Sequence, residues 1–236
     1  MPWDIEEGLR SGGAREAFSS GRYKLAEGIE KGIDPPEELE QGVILAGRVR
    51  WIYAPAGKGK TWLWLWLVKR CIERGERALI FDSENGMRLV TERLQALGVG
   101  PERVDELLHY YPFPHLSTDD RDAEDYARLL DEIEPALVIF DSLVNFLGDS
   151  ALAENSNDDL VAWATCYTRP ARERGIAVVV LDHVPHEGDH ARGASRKRDE
   201  VAFSLRLRGV YEGVSMDAWE RAVRTVVAAT QRRPNA

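Results

Sequence analysis

The chain has 236 residues, of which 44% are hydrophobic and 30% are charged, and its formal net charge at pH 7 is -9. This composition is ordinary for a soluble globular protein, and the length suffices for one large α/β domain whose core needs no disulfides. The acidic balance disfavours broad nonspecific binding of nucleic acid, although it does not exclude a local basic groove.

The sequence shows no sign of membrane insertion or secretion. No apolar run approaches the roughly 20 residues of a membrane span, and the first seven residues are acidic, without the apolar stretch of a signal peptide. The two cysteines, Cys71 and Cys166, are expected to be free thiols in a reducing compartment. We therefore expect a cytoplasmic protein without a membrane partner.

Residues 1–41 differ from the rest of the chain. They are rich in Gly and Glu, contain the pair Pro35-Pro36 and show little periodicity. We expect an N-terminal arm with one or two short helices. From residue 42 to residue 236 strand and helix patterns alternate, which predicts one α/β domain with a mostly parallel central sheet flanked by helices.

The predicted elements of this domain alternate in chain order. Strands are expected at residues 49–53, 78–82, 107–111, 136–141 and 176–182. Helices are expected at residues 60–74, 86–97, 123–133 and 157–174. Further strands at residues 200–207, 210–216 and 225–230 are expected to add antiparallel strands toward the C-terminus.

The segment 54–61, Ala-Pro-Ala-Gly-Lys-Gly-Lys-Thr, lies between the first predicted strand and the first predicted helix of the domain. Small residues followed by Gly-Lys-Thr in this context predict a P-loop, whose backbone N–H groups and helix N-terminus hold phosphate. Lys60 would reach the β- and γ-phosphates, and the Thr61 hydroxyl would coordinate Mg²⁺. The residues expected to bind the nucleotide are Ala54, Ala56, Gly57, Lys58, Gly59, Lys60, Thr61 and Trp62. The alternative is a chance Gly-rich turn, which the flanking strand and helix argue against.

Three tryptophans, Trp62, Trp64 and Trp66, alternate as they would in a strand. The P-loop requires a helix here, so we expect the alternation to be helical and its rings to pack in the core. Stacking on a nucleic-acid base is the alternative role for one of them.

Two further strands end in acidic residues. The apolar run before Asp141 predicts a buried parallel strand whose carboxylate lies at the ligand-binding edge and holds Mg²⁺; a helix N-cap is the alternative. Glu84, just after the strand at 78–82, is expected to act as the general base on the attacking water. Asp82 is its competitor, and a solvated acid in the first turn of a helix is the alternative for Glu84.

This combination resembles the RecA-like P-loop ATPases, and more narrowly the RepA/DnaB-type replicative helicase ATPases of plasmids, phages and other mobile elements. The resemblance covers residue 39 to the C-terminus and is carried by the segments 54–61, 81–86, 138–142, 155–159, 178–183 and 191–195. It implies a homo-oligomeric ring, by analogy a hexamer, that binds ATP and Mg²⁺ and is coupled to single-stranded DNA.

The resemblance also assigns roles to three positions near the C-terminus. His183 matches a sensor position that contacts the γ-phosphate or the lytic water, although a Zn²⁺ site with His186 and His190 and a solvated loop are alternatives. Arg232 matches an arginine finger that acts across a subunit interface, with Arg233 nearly as good a match. A DNA-facing loop is expected around residues 188–198, and its basic side chains are Arg192, Arg196, Lys197 and Arg198.

Three functions remain open on the sequence. The first is a helicase or helicase-like motor in the replication of a mobile element. The second is a regulatory RecA-like ATPase that switches a protein–protein contact without translocation. The third is a nucleotide kinase, against which the order of the motifs argues.

Overall fold

The structure is a computed structural model that describes residues 37–40, 44–55, 57–154, 156–183 and, for the backbone alone, 203–206. The strands are β1 (Glu38–Glu40), β2 (Ile44–Leu45), β3 (Val49–Ala54), β4 (Ala78–Asp82), β5 (Leu108–Pro112), β6 (Leu137–Asp141), β7 (Ala177–His183) and β8 (Phe203–Arg206). The helices are α1 (Lys60–Arg74), α2 (Met87–Ala96), α3 (Pro101–Leu107), α4 (Asp120–Ile133), α5 (Leu143–Asp149), α6 (Asn157–Cys166) and α7 (Thr168–Glu173). The predicted boundary between the arm and the domain stays a prediction, since residues 1–36 are outside the described ranges.

Six strands form one sheet in the order β5-β4-β6-β7-β3-β8, and every described pairing within it is parallel. A separate antiparallel pair joins β1 to β2. This architecture confirms the predicted α/β class with a mostly parallel sheet flanked by helices. Its strand β8 is parallel to β3, so the expected antiparallel addition does not apply to that strand. The strands predicted at 210–216 and 225–230 lie outside the described residues.

Alternating side chains of the strands build a hydrophobic core on each face of the sheet. In β6, Leu137 and Ile139 face the cluster formed with α1 and α2, whereas Val138 and Phe140 face the cluster formed with α4, α5, α6 and α7. This period of two is the consequence of pleating, and it explains why a strand buried on both faces is apolar throughout. Trp64 and Trp66 lie on the helix α1 and are buried in the first cluster, so the alternating tryptophans belong to a helix and not to a strand.

Among the described residues, no helix combines the length and the apolar character needed to cross a membrane.

The segment predicted as one helix over 157–174 forms two helices that meet at Tyr167. Pro170 explains the break, because it lacks the N–H that would bond to the carbonyl of Cys166. Two short helices, α3 and α5, were not predicted. For α3 the sequence held a signal, since Pro101 stands at its first position after Gly100.

The sheet brings the carboxyl ends of four strands to one edge. Ala54 of β3 pairs with His183 of β7, and Asp82 of β4 pairs with Asp141 of β6. Because β7 lies between β6 and β3, the strand that precedes the P-loop and the strand that ends in Asp141 are separated by one strand. A side chain at the end of β7 is therefore placed between the two.

Candidate active site

The loop from Ala54 to Lys60 joins β3 to α1 through glycines in the left-handed region. Gly57 has a φ of 72°, and Gly59, the N-cap of α1, has a φ of 88°. Gly59 also accepts the first helical hydrogen bond, from the N–H of Leu63 (3.0 Å). A side chain at this position would be strained, because L residues other than glycine rarely adopt this conformation. The loop therefore delivers the chain directly into a helix whose N-terminus faces the edge of the sheet, where it favours anions.

The Lys60 ammonium is held between the loop and the end of β7. Its Nζ donates to the carbonyl of Ala54 (2.9 Å) and lies 3.2 Å from Nδ1 of His183. The residue is 7% exposed. Burial lowers the pKa of Lys60, and the nearby carboxylates of Glu84 and Asp141 partly offset this effect. A desolvated cation at the N-terminus of a helix suits the binding of phosphate.

Glu84 lies in the turn after β4 and accepts two short hydrogen bonds on one oxygen. Its Oε1 is 2.5 Å from Nε2 of His183 and 2.5 Å from Oγ of Ser142. Burial raises the pKa of Glu84, but the hydrogen bonds from these two residues and the charge of Lys60 outweigh it, and the pKa lies below its ordinary value. The carboxylate is thus ionised at neutral pH and able to accept a proton.

The two contacts of His183 fix which of its ring nitrogens carries the proton. Lys60 is only a donor, so Nδ1 of His183 accepts from it. Nε2 then carries the hydrogen and donates to Glu84. Lys60, His183 and Glu84 consequently form a directional hydrogen-bonded chain across the edge of the sheet.

Asp82 is engaged differently from Glu84. Its Oδ1 accepts from the backbone N–H groups of Glu84 (2.9 Å) and Asn85 (3.0 Å) and from Nδ2 of Asn85 (3.0 Å). Its Oδ2 accepts from the hydroxyl of Tyr110 (2.8 Å), and the residue is fully buried. These four bonds shape the turn that presents Glu84, and they favour a structural role for Asp82.

Asp141 is the last residue of β6, and its two carboxylate oxygens differ in their hydrogen bonds. Its Oδ2 accepts from Nε1 of Trp64 (2.9 Å) and Nδ2 of Asn85 (3.0 Å). Its Oδ1 is buried and has no hydrogen-bond partner among the described residues. Burial, with the charges of Glu84 and Asp82, raises the pKa of Asp141 to about 7. A buried carboxylate with an unused oxygen fits the binding of a cation.

The Thr61 hydroxyl and the Asp141 carboxylate share a hydrogen-bond partner, the side chain of Asn85. Thr61 Oγ1 donates to Oδ1 of Asn85 (3.2 Å), whose amide also bonds to Asp141. Both candidate ligands are hard oxygens, as Mg²⁺ prefers. In the described part of the chain no group of three or more His, Cys, Asp or Glu side chains could hold a metal ion.

The remaining predicted residues are placed as follows. Ala54 is buried at the end of β3, Lys58 is exposed, and Trp62 is half-buried beneath the guanidinium of Arg93, which lies 4.9 Å from its ring centre. Trp62 thus packs against a side chain of the same domain. Other predicted residues lie outside the described ranges: Ala56, His186, His190, Arg192, Arg196, Lys197, Arg198, Arg232 and Arg233.

Four residues make hydrogen bonds at this edge of the sheet that the sequence did not predict. They are Trp64, Asn85, Tyr110 and Ser142. Asn85 and Ser142 directly follow the acids that were singled out, and that adjacency is the signal that could have found them. No comparable signal marks Trp64 or Tyr110, because their contacts depend on the packing of α1 and β5 against other strands.

Comparison with known families identifies the family of this chain. A family model described as an AAA domain (AAA_25) matches residues 17–189, which is more than half of the chain. The chain belongs to this AAA domain family. The predicted RecA-like P-loop ATPase relationship is confirmed at that level, whereas the narrower RepA/DnaB-type membership stays a prediction.

Two curated relatives are similar over part of their length. Both are named DNA repair protein RadA, from the CDC 1551 / Oshkosh and the ATCC 25618 / H37Rv strains of Mycobacterium tuberculosis. Each is 29% identical over 161 residues, which cover 66% of this chain and 31% of the relative. The chain therefore spans about a third of the length of these relatives.

Proposed function

We propose that this AAA domain binds ATP with Mg²⁺ and hydrolyses it, with Glu84 as the general base. The observation that carries the proposal is the hydrogen-bonded chain Lys60–His183–Glu84, which connects a P-loop lysine to an ionised carboxylate at one edge of the sheet. A general base must be deprotonated and held in place; the lowered pKa of Glu84 and its hydrogen bonds from His183 and Ser142 support this role.

Each side chain has one task in this mechanism. Lys60 and the N–H groups of the loop bind the β- and γ-phosphates, and Thr61 and Asp141 would hold Mg²⁺. When bound, Mg²⁺ neutralises charge that develops on the phosphoryl oxygens. In this proposal Glu84 accepts a proton from the attacking water, and His183 senses the change at the γ-phosphate. The contacts of His183 with both Lys60 and Glu84 support that role.

We further propose that hydrolysis is coupled to single-stranded DNA, in a helicase-like motor of a mobile element. Support comes from the motif order, from the basic residues between Arg192 and Arg198, and from relatives named for DNA repair. In this proposal the chain forms a homo-oligomeric ring, with Arg232 acting across the interface between subunits.

The net charge of -9 favours a second candidate, a regulatory ATPase that switches a protein–protein contact without translocation. The two candidates differ in whether DNA changes turnover.

The experiment is steady-state hydrolysis of ATP with Mg²⁺ while single-stranded DNA is titrated at low and at moderate salt. The motor predicts stimulation that weakens as salt rises, because contacts to phosphate release counterions. The stimulation should disappear in the triple variant Arg196→Ala/Lys197→Ala/Arg198→Ala. Turnover that is indifferent to DNA would favour the regulatory switch, and no turnover in any condition would contradict the ATPase assignment.

Lys60→Ala is the control that ties turnover to this site. It should abolish nucleotide binding, since it removes the buried cation beside the loop. Hydrolysis that persists in this variant would have to come from a contaminating enzyme or from another site.

A further inference from the structure

Asn85 hydrogen-bonds to both candidate Mg²⁺ ligands, Thr61 and Asp141. Its Oδ1 accepts from the hydroxyl of Thr61 (3.2 Å), and its Nδ2 donates to Oδ2 of Asp141 (3.0 Å) and to Oδ1 of Asp82 (3.0 Å). Both N–H donors of this amide and one of the two lone pairs of its oxygen are therefore engaged at the edge of the sheet.

Asp82 determines the orientation of the amide. Its Oδ1 accepts from two backbone N–H groups and is therefore an acceptor, so the NH₂ group of Asn85 faces Asp82 and the oxygen of Asn85 faces Thr61. That oxygen accepts the single hydrogen of the Thr61 hydroxyl. The lone pairs of the Thr61 oxygen are then left for a cation.

The same amide sets which oxygen of Asp141 is open. Asn85 and Trp64 both bond to Oδ2, and Oδ1 stays buried without a partner among the described residues. The hydrogen bonds of Asn85 thus leave lone pairs unused on Oγ1 of Thr61 and on Oδ1 of Asp141, and both atoms are hard oxygens. Groups that orient metal ligands in this way influence affinity nearly as strongly as the ligands themselves.

We propose that Asn85 is a positioning residue for the Mg²⁺ that accompanies the nucleotide, acting through Thr61 and Asp141. This inference rests on the proposed nucleotide-binding function. Asn85 then affects the affinity for Mg²⁺ and leaves the affinity for the nucleotide without Mg²⁺ unchanged.

The test measures the Kd of a non-hydrolysable ATP analogue, adenylyl imidodiphosphate, first in EDTA and then across a Mg²⁺ titration. In Asn85→Ala the Kd in EDTA should stay within about twofold of the wild type, because the loop and Lys60 are untouched. The apparent affinity for Mg²⁺ should fall about 10- to 100-fold, the range typical of lost groups that orient metal ligands. Asn85→Ser, which keeps a small polar side chain, serves if the alanine variant folds poorly.

Asn145→Ala is the matched control. Asn145 is also an amide at this edge, but it donates to Oγ of Ser83 (3.0 Å), which is not a proposed ligand. Its Mg²⁺ dependence should equal that of the wild type.

Three results would overturn the inference. An Asn85 variant whose melting temperature falls while its Mg²⁺ dependence is unchanged would show that Asn85 only holds the turn. An equal loss in Asn145→Ala would show a general disturbance of this edge. A wild-type protein that binds the analogue in neither condition would reject the nucleotide site and the inference together, whereas binding without hydrolysis of ATP would reject the proposed activity alone.

Discussion

At the scale of single residues, neighbouring acids differ in what their oxygens are bonded to. Asp82 is fully buried and accepts four hydrogen bonds, whereas Glu84 is partly exposed and accepts two bonds on one oxygen. Residue types alone could not separate them, since Asp82 ends the strand that Glu84 follows. The distinction depends on Tyr110, in β5, and on Ser142, directly after β6.

Removing the imidazole of His183 should change the pH dependence of hydrolysis. Its hydrogen bond to Glu84 helps to keep the pKa of that carboxyl low against the opposing effect of burial. In His183→Ala the pKa of Glu84 should rise, so the acid limb of the profile of kcat/KM against pH should move to higher pH. The measurement is that profile for the wild type and the variant.

His115→Ala is the control for this profile, because His115 is exposed and its nearest acid is Asp149 at 3.8 Å. An acid limb that does not move in His183→Ala would show that the bond between His183 and Glu84 has no influence on the catalytic carboxyl.

At the scale of elements, the helix that begins the nucleotide site and the strand that ends in Asp82 have the bounds that the sequence predicts. Both are delimited by strong local signals, Gly59 and Gly75 for the helix and an apolar run before an acid for the strand. The predictions fail where the deciding signal is a single missing N–H, as at Pro170, or where the element is as short as α5.

The turn that presents Glu84 ends at Gly86, which has a φ of 79° and a ψ of 158°, a region open essentially to glycine alone. An added Cβ there would also lie 3.3 Å from the ring of Phe113. Gly86→Ala should cost about 2–3 kcal/mol of the free energy of unfolding and reduce hydrolysis, because it displaces the turn that carries Glu84. Chemical denaturation and steady-state turnover measure the two effects.

Gly98→Ala is the control for Gly86→Ala, because Gly98 follows the C-terminal end of α2 as Gly86 precedes its N-terminal end. Gly98 has a φ of 75°, and an added Cβ would meet nothing within 4 Å. It should cost about 1 kcal/mol and leave turnover unchanged. Equal costs at the two positions, or full activity in Gly86→Ala, would contradict the account of this turn.

At the scale of the whole molecule, the parallel sheet is what assembles the site. The strand ends predicted from sequence lie on one edge because every described pairing in that sheet is parallel, and the pairing of Asp82 with Asp141 brings Asn85 between two carboxylates. The sequence could indicate the fold class and the positions of Lys60, Thr61, Glu84, Asp141 and His183, whereas their roles stay predictions. It could not indicate Trp64 or Tyr110, because their contacts with Asp141 and Asp82 depend on packing between elements far apart in the chain.

Whether this edge of the sheet hydrolyses ATP with Glu84 as base is tested by comparing Glu84→Gln with the wild type. The Kd for ATP with Mg²⁺ and the rate of phosphate release are measured on the same preparations. Asp82→Asn tests the competing acid: it should lower stability by about 1–3 kcal/mol, because it disturbs the buried hydrogen bonds of the turn, and it should slow hydrolysis far less than Glu84→Gln does.

Glu84→Gln should bind ATP with nearly unchanged affinity and release phosphate about 10²- to 10⁴-fold more slowly. Hydrolysis at the wild-type rate in Glu84→Gln would contradict the assignment of the base.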